Sequence, residues 1–435
     1  MILAHGIGGR SDLPIPLWMA LTGATAALLI SFLVLGAWWR NSRFKGSEAG
    51  RPLPRSLQRA ADSKVTLWTL KLIGLLLLAA MLGIAAAGPN DSAINPVPTW
   101  FYVWFWVGIV PISILFGPIY KKINPVRTIC GFIYRFVSAD EEPREVPAGW
   151  GYKPAAAGLI AFLMLELVFD RSDLPLVVGG FIGIYVLANA VMGLRFGERW
   201  CDRGDGFEVY ARMMAQLSIF GRRSDGRLVI RNPLDGLAAM KTDTAFVQIL
   251  VVVIGSAAFD GLTRTEIWQS LIAGRPRSIY LLLGTLGLAA SILFISTTYR
   301  TAVELSERFT DKRELAGRFV HSLIPIAVGY TIAHYFSLFV FQGQAGFILG
   351  SDPFGRGADL FGTADWAINY RLVSVSAIAL VQVGAIVLGH VLGVISAHDR
   401  AVELFPEPYK TRSQYSLLAV MVVYTAVGIA LLVGT

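Results

Sequence analysis

Runs of about twenty apolar residues recur along this chain, each closed by a short polar connection, and that period predicts membrane-spanning helices. Ten spans are expected, at roughly 17–39, 66–87, 100–120, 153–169, 174–194, 244–262, 277–298, 319–341, 373–397 and 415–433. The connections alternate in charge. Arg40–Lys64 carries seven Lys/Arg, Lys121–Trp150 five and Arg195–Asp243 nine, whereas Gly88–Thr99 has none and Asp170–Asp173 one. Basic loops stay on the cytoplasmic side, so both termini are expected outside. The fold class is therefore an all-α polytopic bundle, one integral membrane domain over 1–435.

Composition agrees, with 54% hydrophobic and 16% charged residues. Cys130 and Cys201 are too few for a disulfide framework and fall in loops placed in the cytoplasm. The net charge of +8 sits beside spans, where it orients helices, so the expected partners are the bilayer and a small molecule or ion, not nucleic acid. A partner membrane subunit completing the site stays open. Two segments read as structural collars on the inner surface: Thr128–Val137, with helical apolar spacing after Asn124-Pro125, and the stretch that Asn232-Pro233 opens after a hairpin turn at Asp225-Gly226. Glu198, Asp202, Asp205 and Glu208 offer a weak cation-binding pattern that matches no calcium loop.

Chemistry concentrates in 318–400, which holds four of the five histidines. His321 and His334 lie on one predicted span, and Gln382 and His390 on the next, whose exit is His398-Asp399-Arg400. Polar side chains in hydrocarbon are costly and mark functional sites. At about 1.5 Å per residue, His321 and His334 are about 20 Å apart in depth, so His390 belongs near His321 and His334 near the outer ends. Those outer ends carry Glu166 and Asp170, Asp260, Gln342 and Gln344, and Asp365 in a long loop that also holds Asp352 and Asp359. Carboxylates and an imidazole at one depth suit a divalent metal or a proton relay, and Glu166, Asp260 and His334 are the three expected to act. The Gly389-x-x-x-Gly393 spacing reads as a close-packing face. A repeated Arg-Ala-Val-Glu-Leu-like exit, Arg300-Thr-Ala-Val-Glu-Leu305 and Arg400-Ala-Val-Glu-Leu404, leaves His398 and Asp399 open as an interfacial pair or an acid and base. At the start, Ala4-His5 has the form of a cleavage point, and a freed His5 would bind a metal through amine and imidazole.

The set Ala4-His5-Gly6 with Arg10-Ser-Asp12-Leu-Pro14-Ile-Pro16, Gly329-Tyr-Thr-Ile-Ala-His334-Tyr-Phe-Ser-Leu338, Gln342-Gly-Gln344, Phe361-Gly-Thr-Ala-Asp365-Trp366, Gly389-His390 and Ala397-His-Asp-Arg-Ala401 resembles bacterial polytopic membrane proteins labelled fenitrothion hydrolase. The likeness covers most of the chain and implies a bacterial plasma-membrane location and hydrolysis of an organophosphate ester. Three expectations follow: a metal-dependent hydrolase with an outer site, a proton- or metal-ion-coupled transporter using the histidine ladder, or a structural subunit.

Overall fold

The computed structural model describes residues 16–137, 142–240 and 243–433, so His5 and its neighbours lie outside the described residues. The chain is 74% helical. In chain order the helices used below are α1 Leu17–Trp38, α2 Lys64–Ala87, α3 Val97–Phe116, α4 Pro125–Val137, α5 Lys153–Leu167, α6 Pro175–Phe196, α7 Gly206–Met214, α8 Val247–Thr263, α9 Arg277–Glu307, α10 Ile324–Ser351, α11 Val375–Leu404 and α12 Tyr415–Val433.

Nine helical stretches among the described residues are long and apolar enough to cross a bilayer, one fewer than expected. The exception is the fourth, because α5 has only 15 residues, about 22 Å of helix, and is largely buried. It still runs between the two ends of the bundle. At one end the three basic loops meet: strand β1, Arg51–Pro52, pairs with β3, Leu228–Ile230, which also pairs with β2, Phe220–Arg222. Lys121 Nζ reaches Asp202 Oδ1 at 2.7 Å across the second and third of these loops. At the other end Ser92 donates to Asp173 at 3.4 Å, Asn90 Oδ1 accepts from the Leu176 amide at 3.1 Å, and Asp170 pairs with Arg277 at 2.8 Å. The expected charge alternation thus corresponds to a physical separation into a basic end and a low-charge end.

The two collars form as their caps dictate. Asn124 Oδ1 accepts from the Val126 amide at 2.9 Å at the start of α4, and Asn232 Oδ1 from the Leu234 amide at 3.0 Å. The turn between β2 and β3 places Gly226 at φ +79°, which glycine adopts without a Cβ clash, and the Arg223 guanidinium holds the Asp225 carboxyl down to about 2.

Two boundaries are corrected. Helix α10 continues to Ser351, so Gln342 and Gln344 lie inside a helix instead of in the loop, and α11 continues to Leu404, so His398 and Asp399 are helical, not at an exit. Gln344, His398 and Asp399 each find partners there, which favours the longer helices. Helix α3 contains a π-helical stretch, Trp100–Val107, from which the Trp100 and Trp104 indoles donate to the Gly346 and Gly343 carbonyls of α10, both at 2.9 Å.

Candidate functional site

Helix α10 is fixed on one side by backbone contact with α11. A Cβ on Gly389 would stand 2.5 Å from the Pro325 carbonyl oxygen and 3.2 Å from Gly329 Cα, and one on Gly393 would stand 2.8 Å from the Ser322 oxygen. Only glycine lets two helices approach so closely, so Gly389 and Gly393 are a packing face. With that face committed, α10 turns Tyr330, His334 and Tyr335 toward α5 and α8.

There the structure brings His334 and Asp260 into contact and places Glu166 nearby through Tyr335, although the expected set Glu166, Asp260 and His334 is not among the described groups whose ligand atoms lie within 4.8 Å of one another. Asp260 of α8 is 1% exposed, His334 5% and Glu166 9%. His334 Nε2 is in close contact with Asp260 Oδ2. The same nitrogen lies 3.1 Å from Arg264 Nη2, and Arg264 is itself 3.7 Å from Asp260 Oδ1, one helical turn away on α8. Tyr335 donates to Glu166 Oε1 at 3.2 Å, while Glu166 Oε2 is buried with no hydrogen-bond partner among the described residues. Tyr330 stacks on the imidazole at 5.8 Å between centroids and Tyr335 meets it edge-on at 4.7 Å.

The two contacts at His334 Nε2 have opposite requirements. A protonated Nε2 donates to Asp260, whereas an unprotonated one accepts from Arg264. Whether Nε2 carries a hydrogen therefore selects its partner. Arg264 was not among the expected residues; its signal was the i, i+4 spacing from Asp260 at the helix end.

Beside this cluster, at the low-charge end, a cavity of about 370 Å³ is lined by Tyr102, Asp173, Leu338, Gln342, Leu349 and Trp366 among others. Leu338 and Gln342 stand one and two turns along α10 from Tyr335 and His334. Tyr102 packs against Phe162 of α5, the helix that carries Glu166, at 6.2 Å and donates to the Ser172 carbonyl at 2.9 Å. Helix α10 is thus common to the cavity and the buried cluster, and Tyr102 of α3 joins the cavity wall to α5 behind it.

The other expected residues lie elsewhere. Gln344 Nε2 donates to the Val340 carbonyl at 3.0 Å and its Oε1 accepts from the Asn369 amide at 2.9 Å, tying the long loop to α10. Asp365 is exposed, and Asp170 is held below the usual carboxylate range by its hydrogen bond to Arg277. Asp352 and Asp359 accept from loop amides, at 2.7 Å from Gly357 and 2.9 Å from Thr363. Gln382 is half-buried on α11, and the neighbouring His390 places Nδ1 2.9 Å from the Ile386 carbonyl. His321 lies in a short turn before α10, with Nδ1 3.0 Å from the Arg318 oxygen. His398 and Asp399 do not bond each other. His398 contacts Gln414 Oε1 at 3.1 Å and the Trp39 carbonyl at 2.9 Å, while Asp399 accepts from Trp39 Nε1, Ser42 Oγ and the Arg43 amide at 2.9, 2.9 and 2.7 Å. They clasp the end of α1 to α11 through separate partners instead of bonding each other.

A second buried centre sits at the basic end, on residues read only as a weak cation pattern. Cys201, Asp205 and Glu208 each offer a ligand atom, all within 4.8 Å, so the group could hold a metal ion. Its carboxylates are already engaged. Asn124 Nδ2 donates to both Asp205 Oδ2 and Glu208 Oε2 at 2.8 Å, Tyr185 to Asp205 Oδ1 at 2.7 Å, and Arg127 to Glu208 at 2.7 Å and to Asp202 at 2.7 Å. The guanidinium supplies the balancing charge, and a cation would have to displace it or the Asn124 amide. Glu198 lies apart, paired with Lys71 at 3.3 Å. No protein-family model matches this chain, and no curated protein or solved structure matches it.

Proposed function

We propose that the chain is a proton-coupled carrier of the bacterial plasma membrane, with its basic end in the cytoplasm and both termini outside. What carries the reading is the double contact at His334 Nε2. A proton arriving at the ring is shared with Asp260; when Asp260 passes it on, the freed Nε2 lone pair is taken by Arg264, so Nε2 keeps a hydrogen-bond partner in both states while the cluster's net charge falls by one. Glu166, held through Tyr335, is the next acceptor toward the cavity. Buried ionisable groups converging from three helices are expensive, and a transport path is the use that offsets their cost.

The test is proton flux into proteoliposomes enclosing a pH-sensitive dye and driven by a potassium-diffusion potential. Wild type is expected to exceed protein-free vesicles, and His334→Ala and Asp260→Asn to lose at least about tenfold, the loss of one strong hydrogen bond's worth of about 1.4 kcal/mol. Asp365→Asn should leave the flux intact. Wild-type flux equal to that of empty vesicles overturns the reading.

One observation favours the hydrolase that the sequence resemblance implies. An imidazole nitrogen against a carboxylate oxygen supplies two of the ligands a divalent metal takes, and such a metal would activate water near the cavity once Arg264 withdrew. Turnover of a chromogenic aryl phosphotriester that follows bound metal and disappears in His334→Ala would decide for it.

A further inference from the structure

The cavity at the low-charge end has a lining that selects by charge as well as by shape. Most of its wall is apolar or aromatic, including Val103, Leu338, Ile348 and Leu349, and the single carboxyl side chain among its lining residues is Asp173. Among the described residues Asp173 has a hydrogen bond from Ser92 at 3.4 Å and no ion pair with any Lys, Arg or His. The neighbouring Asp170, by contrast, is neutralised by Arg277. The Gln342 side chain lines the same wall without a hydrogen-bond partner of its own among the described residues, and the Trp366 indole, 65% exposed, stands at the rim. A carboxylate facing an apolar chamber of about 370 Å³ with aromatic rings on its wall is the arrangement that recognises an organic cation: the charge meets Asp173, the aromatic faces meet the delocalised positive charge, and the apolar wall takes the hydrocarbon.

We infer that this cavity binds a lipophilic organic cation, an aromatic or alkyl amine of small-molecule size, as the substrate that the carrier exchanges for protons. The exchange rests on the proton-carrier reading; the binding does not. Leu338 and Gln342 lie on the same helix as His334, so a bound cation sits along α10 from the titrating cluster, and a positive charge at Asp173 opposes a positive charge at the imidazole. Cation and proton therefore compete through one helix, as an exchanger requires.

The test is equilibrium binding of ethidium, a fluorescent aromatic cation, to the detergent-purified full chain without any gradient, beside a neutral aromatic of similar size. Wild type is expected to bind the cation at least tenfold more tightly than the neutral probe. Asp173→Asn should weaken the cation at least tenfold and leave the neutral probe within twofold, Leu338→Trp should weaken both by filling the cavity, and Asp365→Asn should change neither. Equal binding of cation and neutral probe in wild type, or unchanged ethidium binding by Asp173→Asn, overturns the inference. Because no proton movement is measured, intact binding with absent flux condemns only the carrier reading, and intact flux with absent binding condemns only the substrate class.

Discussion

Replacing Arg127 by methionine tests whether the buried basic-end centre is an ion lock or a metal site. Arg127 is 6% exposed and Glu208 1%, and the guanidinium contacts both Glu208 oxygens, at 2.7 and 2.5 Å, besides Asp202. Methionine keeps the unbranched apolar stem but removes the guanidinium, leaving Glu208 and Asp205 with the Asn124 amide, the Tyr185 hydroxyl and the Phe207 and Glu208 backbone amides as donors. Breaking a buried ion pair on one side costs about 3–5 kcal/mol, because a desolvated charge is left uncompensated. At about 2 °C per kcal/mol, the low end for large domains, the thermal midpoint should fall by about 6–10 °C. Arg222→Met removes a pair with Asp62 whose side chains are 43% and 48% exposed, and should cost under about 1 kcal/mol. Tryptophan fluorescence on heating in detergent reads both. Arg127→Met/Glu208→Gln should recover part of the loss, since the acid left behind is then neutral. A chelator should not move the wild-type midpoint. If it lowers that midpoint as far as Arg127→Met does, a metal balances these carboxylates and the ion-lock reasoning fails.

Gly389→Ala should destabilise by about 1–3 kcal/mol through overpacking, since its Cβ would meet the Pro325 oxygen at 2.5 Å, while Gly384→Ala, with nothing within 4 Å, should be neutral by the same melting assay. Asp399→Asn puts an amide nitrogen where one of three donors now bonds, so the α1 clasp should loosen; faster trypsin cleavage at Arg40–Arg59 than in wild type is the expected readout, and an unchanged rate would show that Trp39 and His398 hold the end alone.

The bundle was legible in the sequence because burial in lipid imposes apolar runs of fixed length, and the two ends were legible because lysine and arginine are distributed between loops. Only α5 fell short, since a helix buried among protein neighbours has no bilayer thickness to match. Glu166, Asp260 and His334 could be nominated because each is a polar residue in an apolar run at similar predicted depth. Arg264 carried only its i, i+4 spacing from Asp260 as a signal, and an arginine one residue past a helix end reads first as a solvated charge. The Arg127 lock was hidden for a different reason. Its partners Asp202 and Glu208 lie 75 and 81 residues away in another loop, and no periodicity within either loop encodes that pairing. His398-Asp399 misled in the opposite direction: adjacent residues on a helix point to different neighbours, so adjacency in sequence was evidence against a shared bond.

The polar groups of this bundle divide by whether their hydrogen-bonding demands are met. Asp399 has three donors and Asp205 and Glu208 are covered by Asn124, Tyr185 and Arg127, so each of these acids has a fixed set of partners and ties a basic-end loop to a helix. At His334 two partners with incompatible requirements meet one nitrogen, and Glu166 keeps an oxygen that no described group supplies with a donor. A satisfied buried network has one low-energy arrangement and serves as architecture. In the proposed carrier the contested Nε2 is where one added proton changes the partner, and the close α10–α11 glycine contact fixes the backbone beside it. That difference is why we propose function at the α5, α8 and α10 cluster and architecture at the basic end.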